Sequence, residues 1–373
     1  MKFFYIYPEQ ILQKNAREIS ILNTFYEMSK IVENAKFITT NLNCKIDDLN
    51  DYFDLNLKNS DFLFLNKKIL FFQSTKIFNL NLKKIINDKN NIDAIFYTRH
   101  IKIADFILKY KKDTQKLFYE AHELFYLNNP KNKDKIFNME KNIFENSSGI
   151  IYNNSSIKKE TNKIFKSTKN ELIAYNGVKS VLPKDIFTNF NFDNISYFGS
   201  FLLWKGLDLL LNFVKINPSI KLFLYGNDES KSAERLKKYI DENDLQARVV
   251  FMGFIHQKNV LKKLFDNENL LIIPSIASVY SPFSTPLKVY EYLAGGNIII
   301  APDFNPVKEI IIDGKNGFLY KNCNLQSLNE IYQKLKKLDN KELQKISYNA
   351  RMKADELLWN KRAEKIISFI KEA

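Results

Sequence analysis

The segment Pro274-Ser-Ile-Ala-Ser-Val-Tyr-Ser-Pro-Phe-Ser-Thr-Pro-Leu-Lys-Val-Tyr-Glu-Tyr-Leu-Ala-Gly-Gly296 decides the fold class. Residues 270–274 ahead of it form a short apolar run without polar alternation, the pattern of a strand buried on both faces. A polar loop follows Pro274, and a short helix is expected from near Pro286. Thr285 is a natural N-cap, and proline at the first helical position loses no hydrogen bond. Gly295-Gly296 supplies a left-handed stop. The helix start thus opens at the carboxyl end of a parallel strand, where α/β sheets place ligands.

Working outward, the same pattern recurs. Apolar runs at 3–7, 37–40, 69–72, 94–98, 116–120, 150–153 and 172–176 are followed by a second series at 195–199, 221–226, 249–253, 270–274, 298–302 and 317–320. Amphipathic stretches such as 207–215, 233–242 and 325–338 separate them. Buried runs alternating with helical patterns predict parallel sheets, so the chain reads as two doubly wound α/β domains. The weakest stretch, 179–194, holds Pro183 and no clear periodicity. It sets the expected limits at 1–180 and 181–350, with a helical segment after them and no further strand.

Composition narrows the function classes. The 373 residues include 56 Lys+Arg and 42 Asp+Glu, a net charge of +14, with 45% hydrophobic and 26% charged residues. These values exclude collagen-like, disulfide-scaffold and disordered chains. The positive surplus suggests nucleic acid, but only six cations are Arg, the residue that supplies bidentate contacts to bases and phosphates. No nucleic-acid partner is expected. Cys44 and Cys323 lie far apart with no metal-like spacing, which suits a reducing compartment. The apolar start ends at Pro8-Glu9, too short for a signal-peptide core, and no run reaches the ~18 residues of a membrane span. A cytoplasmic protein is expected, at most peripheral on the inner face of the cell membrane. Residues 1–180 carry 29 Lys+Arg and 20 Asp+Glu, so this half could meet an anionic membrane surface.

Two segments carry chemistry. At the predicted helix start, free N–H groups and the helix dipole favour a phosphate, with Ser284, Thr285 and Leu287 around it. Lys288 adds a point charge one turn in, and Glu291 follows at i+3. The same spacing also suits a capped helix with a solvated Lys288–Glu291 pair. The second segment, Tyr197-Phe-Gly-Ser-Phe-Leu-Leu-Trp-Lys-Gly-Leu-Asp208, runs a strand into Gly199 and Ser200 and places Lys205-Gly206 before a helix. A lysine there could neutralise a leaving diphosphate, or be an ordinary surface residue.

Together these pieces resemble the donor-binding domain of glycosyltransferase family 4, retaining enzymes of the GT-B fold. The resemblance rests on Gly199…Trp204-Lys205-Gly206, Val250-Phe-Met-Gly253, Ile273-Pro-Ser275, Pro286-Leu-Lys-Val-Tyr-Glu-Tyr-Leu-Ala294 and Asp313-Gly…Asn316-Gly-Phe-Leu319. It covers about residues 195–320; Ile95-Phe-Tyr-Thr-Arg99, Tyr119-Glu-Ala-His122 and Tyr175-Asn-Gly-Val178 match more loosely. Trp359…Arg362-Ala363 is similar to the family's closing helix, so 351–373 is expected to return to the first of two Rossmann-like domains facing a cleft. By resemblance, Glu291 is the second carboxylate of the Glu-x(7)-Glu motif and binds the ribose. Lys205 stabilises the diphosphate, and His122 is a catalytic residue on the acceptor side. The implied reaction moves a sugar from a nucleotide-diphosphate donor to a hydroxyl of a glycan, glycolipid or lipid-linked acceptor, with retention, in bacterial envelope or glycoconjugate synthesis. The nucleotide sugar is a co-substrate; no metal or other cofactor is required.

The sequence departs from that family at three points. Phe283 stands where the first motif carboxylate would be, Ser200 where an Arg is usual, and residues 8–17 hold no glycine. Lys288 is the candidate replacement for the missing charge. The departures keep open a nucleotide-sugar-binding protein of weak or absent activity. A sugar-nucleotide epimerase of the same fold is a further alternative.

Overall fold

The computed structural model describes residues 2–11, 15–40, 42, 44–69, 72–73, 75–167, 170–181, 190–267, 270–274, 283 and 285–373. They form two compact units: Met1–Asn176 with Trp359–Ala373, and Gly177–Leu358.

The first unit runs β1 (Phe3–Ile6), α1 (Ala16–Ile31), β2 (Lys36–Thr39), α2 (Ile46–Phe53), β3 (Phe62–Phe64), β4 (Lys68–Ile69), β5 (Phe72–Gln73), α3 (Thr75–Asn87), β6 (Ile95–Thr98), α4 (Ile101–Tyr110), β7 (Lys116–Ala121), α5 (Lys133–Asn146), β8 (Gly149–Tyr152), α6 (Ser155–Ile164) and β9 (Glu171–Ile173). Its seven-stranded sheet has the order β3-β2-β1-β6-β7-β8-β9, all parallel. Chain direction across the sheet therefore reverses between β1 and β6. The strands are continuous apolar runs because helices cover both faces. Aromatic rings fill the inside: Tyr5 lies 5.3 Å from Phe37 and 4.9 Å from Tyr97.

The second unit runs β10 (Asn194–Phe198), α7 (Leu207–Ile216), β11 (Lys221–Tyr225), α8 (Lys231–Glu242), β12 (Val249–Gly253), α9 (Gln257–Asn267), β13 (Leu270–Ile272), α10 (Leu287–Gly295), β14 (Ile298–Pro302), α11 (Asn305–Lys308), β15 (Phe318–Tyr320), α12 (Leu325–Leu335) and α13 (Asn340–Glu356). The parallel six-stranded order β12-β11-β10-β13-β14-β15 is the doubly wound Rossmann order, with its switch point between β10 and β13. Ile195, Leu222, Leu270 and Ile298 are fully buried in the core of this unit. The last helix, α14 (Trp359–Glu372), belongs to the first unit. Its Ala363, Ile366, Ile367 and Ile370 share one face at i, i+3, i+4 and i+7 and join the core containing Phe25 of α1.

Several expectations are corrected. At 69–72 the described residues do not join the parallel sheet: β4 and β5 pair antiparallel with each other, Ile69 opposite Phe72, and residues 70 and 71 lie outside the described residues. The edge strand β3 escaped the apolar pattern because only Phe62 of its three residues is buried. The 180/181 boundary falls at Asn176/Gly177, since Val178 bridges to Leu358 within the second unit. The returning segment begins at Trp359 rather than 351, because α13 stays in the second unit and stops at Leu357. Thr285 is not an N-cap. Its hydroxyl donates to the Pro306 carbonyl at 3.2 Å, and Pro286 itself takes the capping position of α10 without a side-chain bond.

Candidate functional site

The carboxyl end of β10 and the start of α10 meet at the switch point of the second sheet. β10 runs out at Phe198 into Gly199, whose φ of +140° suits only glycine comfortably. The Gly199 N–H donates to the Tyr225 carbonyl at 2.8 Å. A Cβ at Gly226 would stand 2.3 Å from the Gly199 oxygen, so the two turns approach closely through their glycines. Tyr292 of α10 reaches back, and its hydroxyl accepts the Phe198 N–H at 3.0 Å. That bond ties the helix to the strand end. Gly296, at φ +73°, closes α10 as the sequence leads one to expect.

Lys288 projects from the first turn of α10 toward Gly199. Its Nζ lies 3.0 Å from where a Gly199 Cβ would stand and 3.7 Å from the centre of the Tyr197 ring. The Tyr197 hydroxyl donates to the Ser200 carbonyl at 2.9 Å, fixing that ring. Lys205 ends a short turn, Leu203–Lys205, and Gly206 at φ +76° turns the chain into α7. The Lys205 ammonium rests 3.8 Å over the Trp204 ring. Burial lowers its pKa from 10.5 to about 8. Lys288 is held well below the ordinary lysine value, first by burial and then by the Lys205 charge; Glu291 works in the opposite direction. Two cations are thus brought together where neither ionises as easily as in water.

Glu291, one turn into α10, accepts a hydrogen bond from Gln257 Nε2 at 2.5 Å. Burial raises its pKa, against the Gln257 bond and Lys288. Gln257 was not singled out from sequence; no motif marks a glutamine 34 positions away, and only the α9–α10 packing reveals it. Of the expected site residues, the structure brings Gly199, Lys205 and Lys288 together, with Ser200 exposed beside Gly199 and Leu287 half-buried at the helix start. Thr285 is buried and turned to Pro306. Ser284 lies outside the described residues, while Phe283 is half-buried.

His122 lies in the first unit, just past β7, in a buried network. Its Nε2 bonds to Glu120, which also takes the Tyr97 hydroxyl. Arg362 of α14 donates to the same carboxylate at 2.6 Å, to Thr24 Oγ1 at 2.9 Å and to the Tyr175 carbonyl at 2.9 Å. Asn153 Nδ2 donates to His122 Nδ1 at 3.1 Å, and Asn153 Oδ1 in turn accepts from Asn154, the N-cap of α6. This chain fixes the tautomer: Nε2 carries the proton and gives it to Glu120. Burial, reinforced by nearby Arg99, lowers the imidazole pKa to about 4, and Glu120 is held ionised by Arg362 and His122 against its burial. Both ring nitrogens of His122 are thus engaged within the first unit, and its ring is neutral at pH 7.

Among the described residues, no group of three His, Cys, Asp or Glu side chains could hold a metal, and no helix is long and apolar enough to cross a membrane. Residues 186–353 match the family described as glycosyl transferases group 1. The match lies within the second unit. A relative from Methanocaldococcus jannaschii, described as an uncharacterized glycosyltransferase, is 27% identical over 223 residues, 58% of this chain. The match spans 57% of that relative's length. Among solved structures, Anabaena HepE in complex with UDP superposes with a TM-score of 0.76 at 15% identity, covering 100% of both chains. Sucrose-phosphate synthase from Thermosynechococcus elongatus does so with 0.74 at 15% identity, covering 100% of this chain and 98% of that one. The fold is that of the GT-B glycosyltransferases.

Proposed function

We propose that the protein is a retaining glycosyltransferase that takes a sugar from a nucleotide-diphosphate donor bound in the second unit. The observation that carries this reading is the pair Lys205 and Lys288, converging with the α10 N-terminus at the switch point of a Rossmann-ordered sheet. Two ammonium groups that repel one another are relieved by a ligand carrying two negative charges. As the sugar C1–O bond breaks, charge grows on the diphosphate, and these cations stabilise it. Glu291, steadied by Gln257, takes the ribose hydroxyls. The acceptor hydroxyl attacks from the same face, and the departing phosphate oxygen receives its proton. No metal is needed, since the lysines supply the counter-charge. The acceptor is a glycan, glycolipid or lipid-linked hydroxyl, in envelope or glycoconjugate synthesis, and the protein works in the cytoplasm or on the inner membrane face. HepE, with which the fold is shared, is solved with UDP-glucose and with UDP and glucose, which supports a uridine nucleotide as the first candidate.

A thermal-shift panel of nucleoside diphosphates and sugar nucleotides tests the proposal. A ligand at 100 times its Kd stabilises by about 2.7 kcal/mol. No response to any member would refute it. Binding without turnover would favour a nucleotide-sugar-binding protein, the reading that Phe283 motivates.

A further inference from the structure

Arginine is scarce in this chain, and most of its six copies are committed to structure. Arg362 holds Glu120, Arg235 pairs with Asp208 at 2.8 Å, Arg248 donates to the carbonyls of Val214 and Asn217, and Arg351 packs on Gly296. Arg17 and Arg99 differ. Neither has an ion pair or a carbonyl partner among the described residues, and both act on one phenol, that of Tyr7.

Their placement is dictated by topology. Strand register sets Ile6 of β1 beside Thr98 of β6, so Tyr7 and Arg99 are the next residues out on two neighbouring strands. These are the strands between which the first sheet reverses its winding, the position where open α/β sheets take ligands. Arg17 stands in the first turn of α1, the helix that follows β1. The carboxylates nearby are already engaged. Glu9 is bound by His100 and Lys67, and Glu120 by Tyr97, His122 and Arg362. Glu18, beside Arg17, is buried and also acts on Tyr7.

We propose that Arg17, Arg99 and the Tyr7 hydroxyl form a subsite for a phosphate group carried by the acceptor. Two guanidinium forks and a phenol offer more donors than the two oxygens of a carboxylate use, and match the three terminal oxygens of a phosphomonoester. The tyrosine, protonated at neutral pH as an ordinary phenol is, remains a donor there, and burial raises its pKa further. Assigning the phosphate to the acceptor rests on the glycosyltransferase reading; the subsite itself does not.

Isothermal titration of the full chain with glycerol 3-phosphate and, separately, with UDP tests both. Arg99→Gln and Arg17→Gln/Arg99→Gln should weaken glycerol 3-phosphate at least tenfold, leaving UDP affinity and the melting temperature unchanged. Lys205→Ala should do the converse. Glycerol 3-phosphate affinity within twofold of wild type in the double variant overturns the subsite, as does absence of saturable binding by wild type. Glycerol 3-phosphate binding by a wild type that binds no nucleoside diphosphate of the thermal-shift panel would overturn the donor reading and leave the subsite standing. Flotation with phosphatidylcholine vesicles containing phosphatidic acid separates the sources. Capture that the double variant abolishes assigns the phosphate to a lipid headgroup; binding of the soluble ester alone assigns it to a soluble acceptor. Vesicle capture undiminished in the double variant overturns the lipid source.

Discussion

Replacing Lys205 tests the site most directly, because its pKa ties charge to rate within a measurable pH range. Only the protonated ammonium can stabilise the departing diphosphate. With a pKa of about 8 in the free protein, the charge is present below that value and lost as pH rises through it. The charged fraction falls from about 0.9 at pH 7 to about 0.1 at pH 9, so kcat/KM, which reports the free enzyme, should drop roughly tenfold over that interval. Removing one oxyanion-stabilising group typically costs about 3–4 kcal/mol of barrier, so Lys205→Ala should lose two orders of magnitude or more in kcat at pH 7. Lys288 adds a discriminating sign. Its pKa is pushed down partly by the Lys205 charge, so in Lys205→Ala the Lys288 titration moves up. Any alkaline limb that Lys288 sets in that variant should therefore lie above the Lys288 titration of the wild type. Lys205→Arg, always charged, should lose the limb near 8. The assay is initial-rate release of nucleoside diphosphate from the donor identified in the thermal-shift panel. Lys205→Ala retaining more than a tenth of wild-type kcat, or an unaltered limb in Lys205→Arg, would refute the role.

Three further outcomes follow from the geometry. Lys288, depressed by burial and by its neighbour, should gain a proton when a diphosphate arrives; calorimetry in buffers of different ionisation heat should register uptake of up to about one proton per chain, and zero uptake would count against the contact. Arg362→Leu leaves the buried Glu120 carboxylate without its cation, which should cost about 3–5 kcal/mol, and Glu120→Gln/Arg362→Leu should cost less than the summed single changes; additive melting shifts would contradict the coupling. Glu140 is 1% exposed, accepts the N–H groups of Phe125 and Tyr126, and has its pKa raised by burial from 4.5 to about 7. A carboxyl whose folded pKa is raised stabilises fully below its unfolded value and loses that contribution as pH climbs through the folded one. Stability should therefore decline by about 3 kcal/mol between pH 4.5 and 7.5 on this account, with the slope absent in Glu140→Gln.

The sequence was most legible where burial on both faces leaves an unbroken apolar run, as in β1, β6 and β10. It was least legible at edges. Phe64 of β3 is 40% exposed, so that strand lacks the signature of its interior neighbours. The apolar Leu357-Leu358 pair carries the helical pattern straight across the break between α13 and α14. Gly199 and Lys205 could be named because a strand end, a glycine and a lysine sit close together in the chain, and Lys288 because it lies one turn into a helix whose proline start and glycine stop are legible. Gln257 and Asn153 could not, since each acts through a contact made only when distant helices or strands pack. Thr285 had the right chemistry for a cap, but its hydroxyl donates to the Pro306 carbonyl instead of accepting from the helix start, a choice that depends on α11, twenty residues away in sequence.

The helix α14 has a consequence for biosynthesis. The first unit needs residues from both ends of the sequence, whereas the second is contiguous. A nascent chain that has already delivered β1 to β9 still lacks Ala363, Ile366, Ile367 and Ile370, and Glu120 still lacks Arg362. The earlier-made half must therefore wait on the ribosome, its α1 surface uncovered, while the later-made half closes around its own core. Truncation at residue 358 should spare the second unit and leave the first sticky, and a chaperone would find its work on the half that was synthesised first.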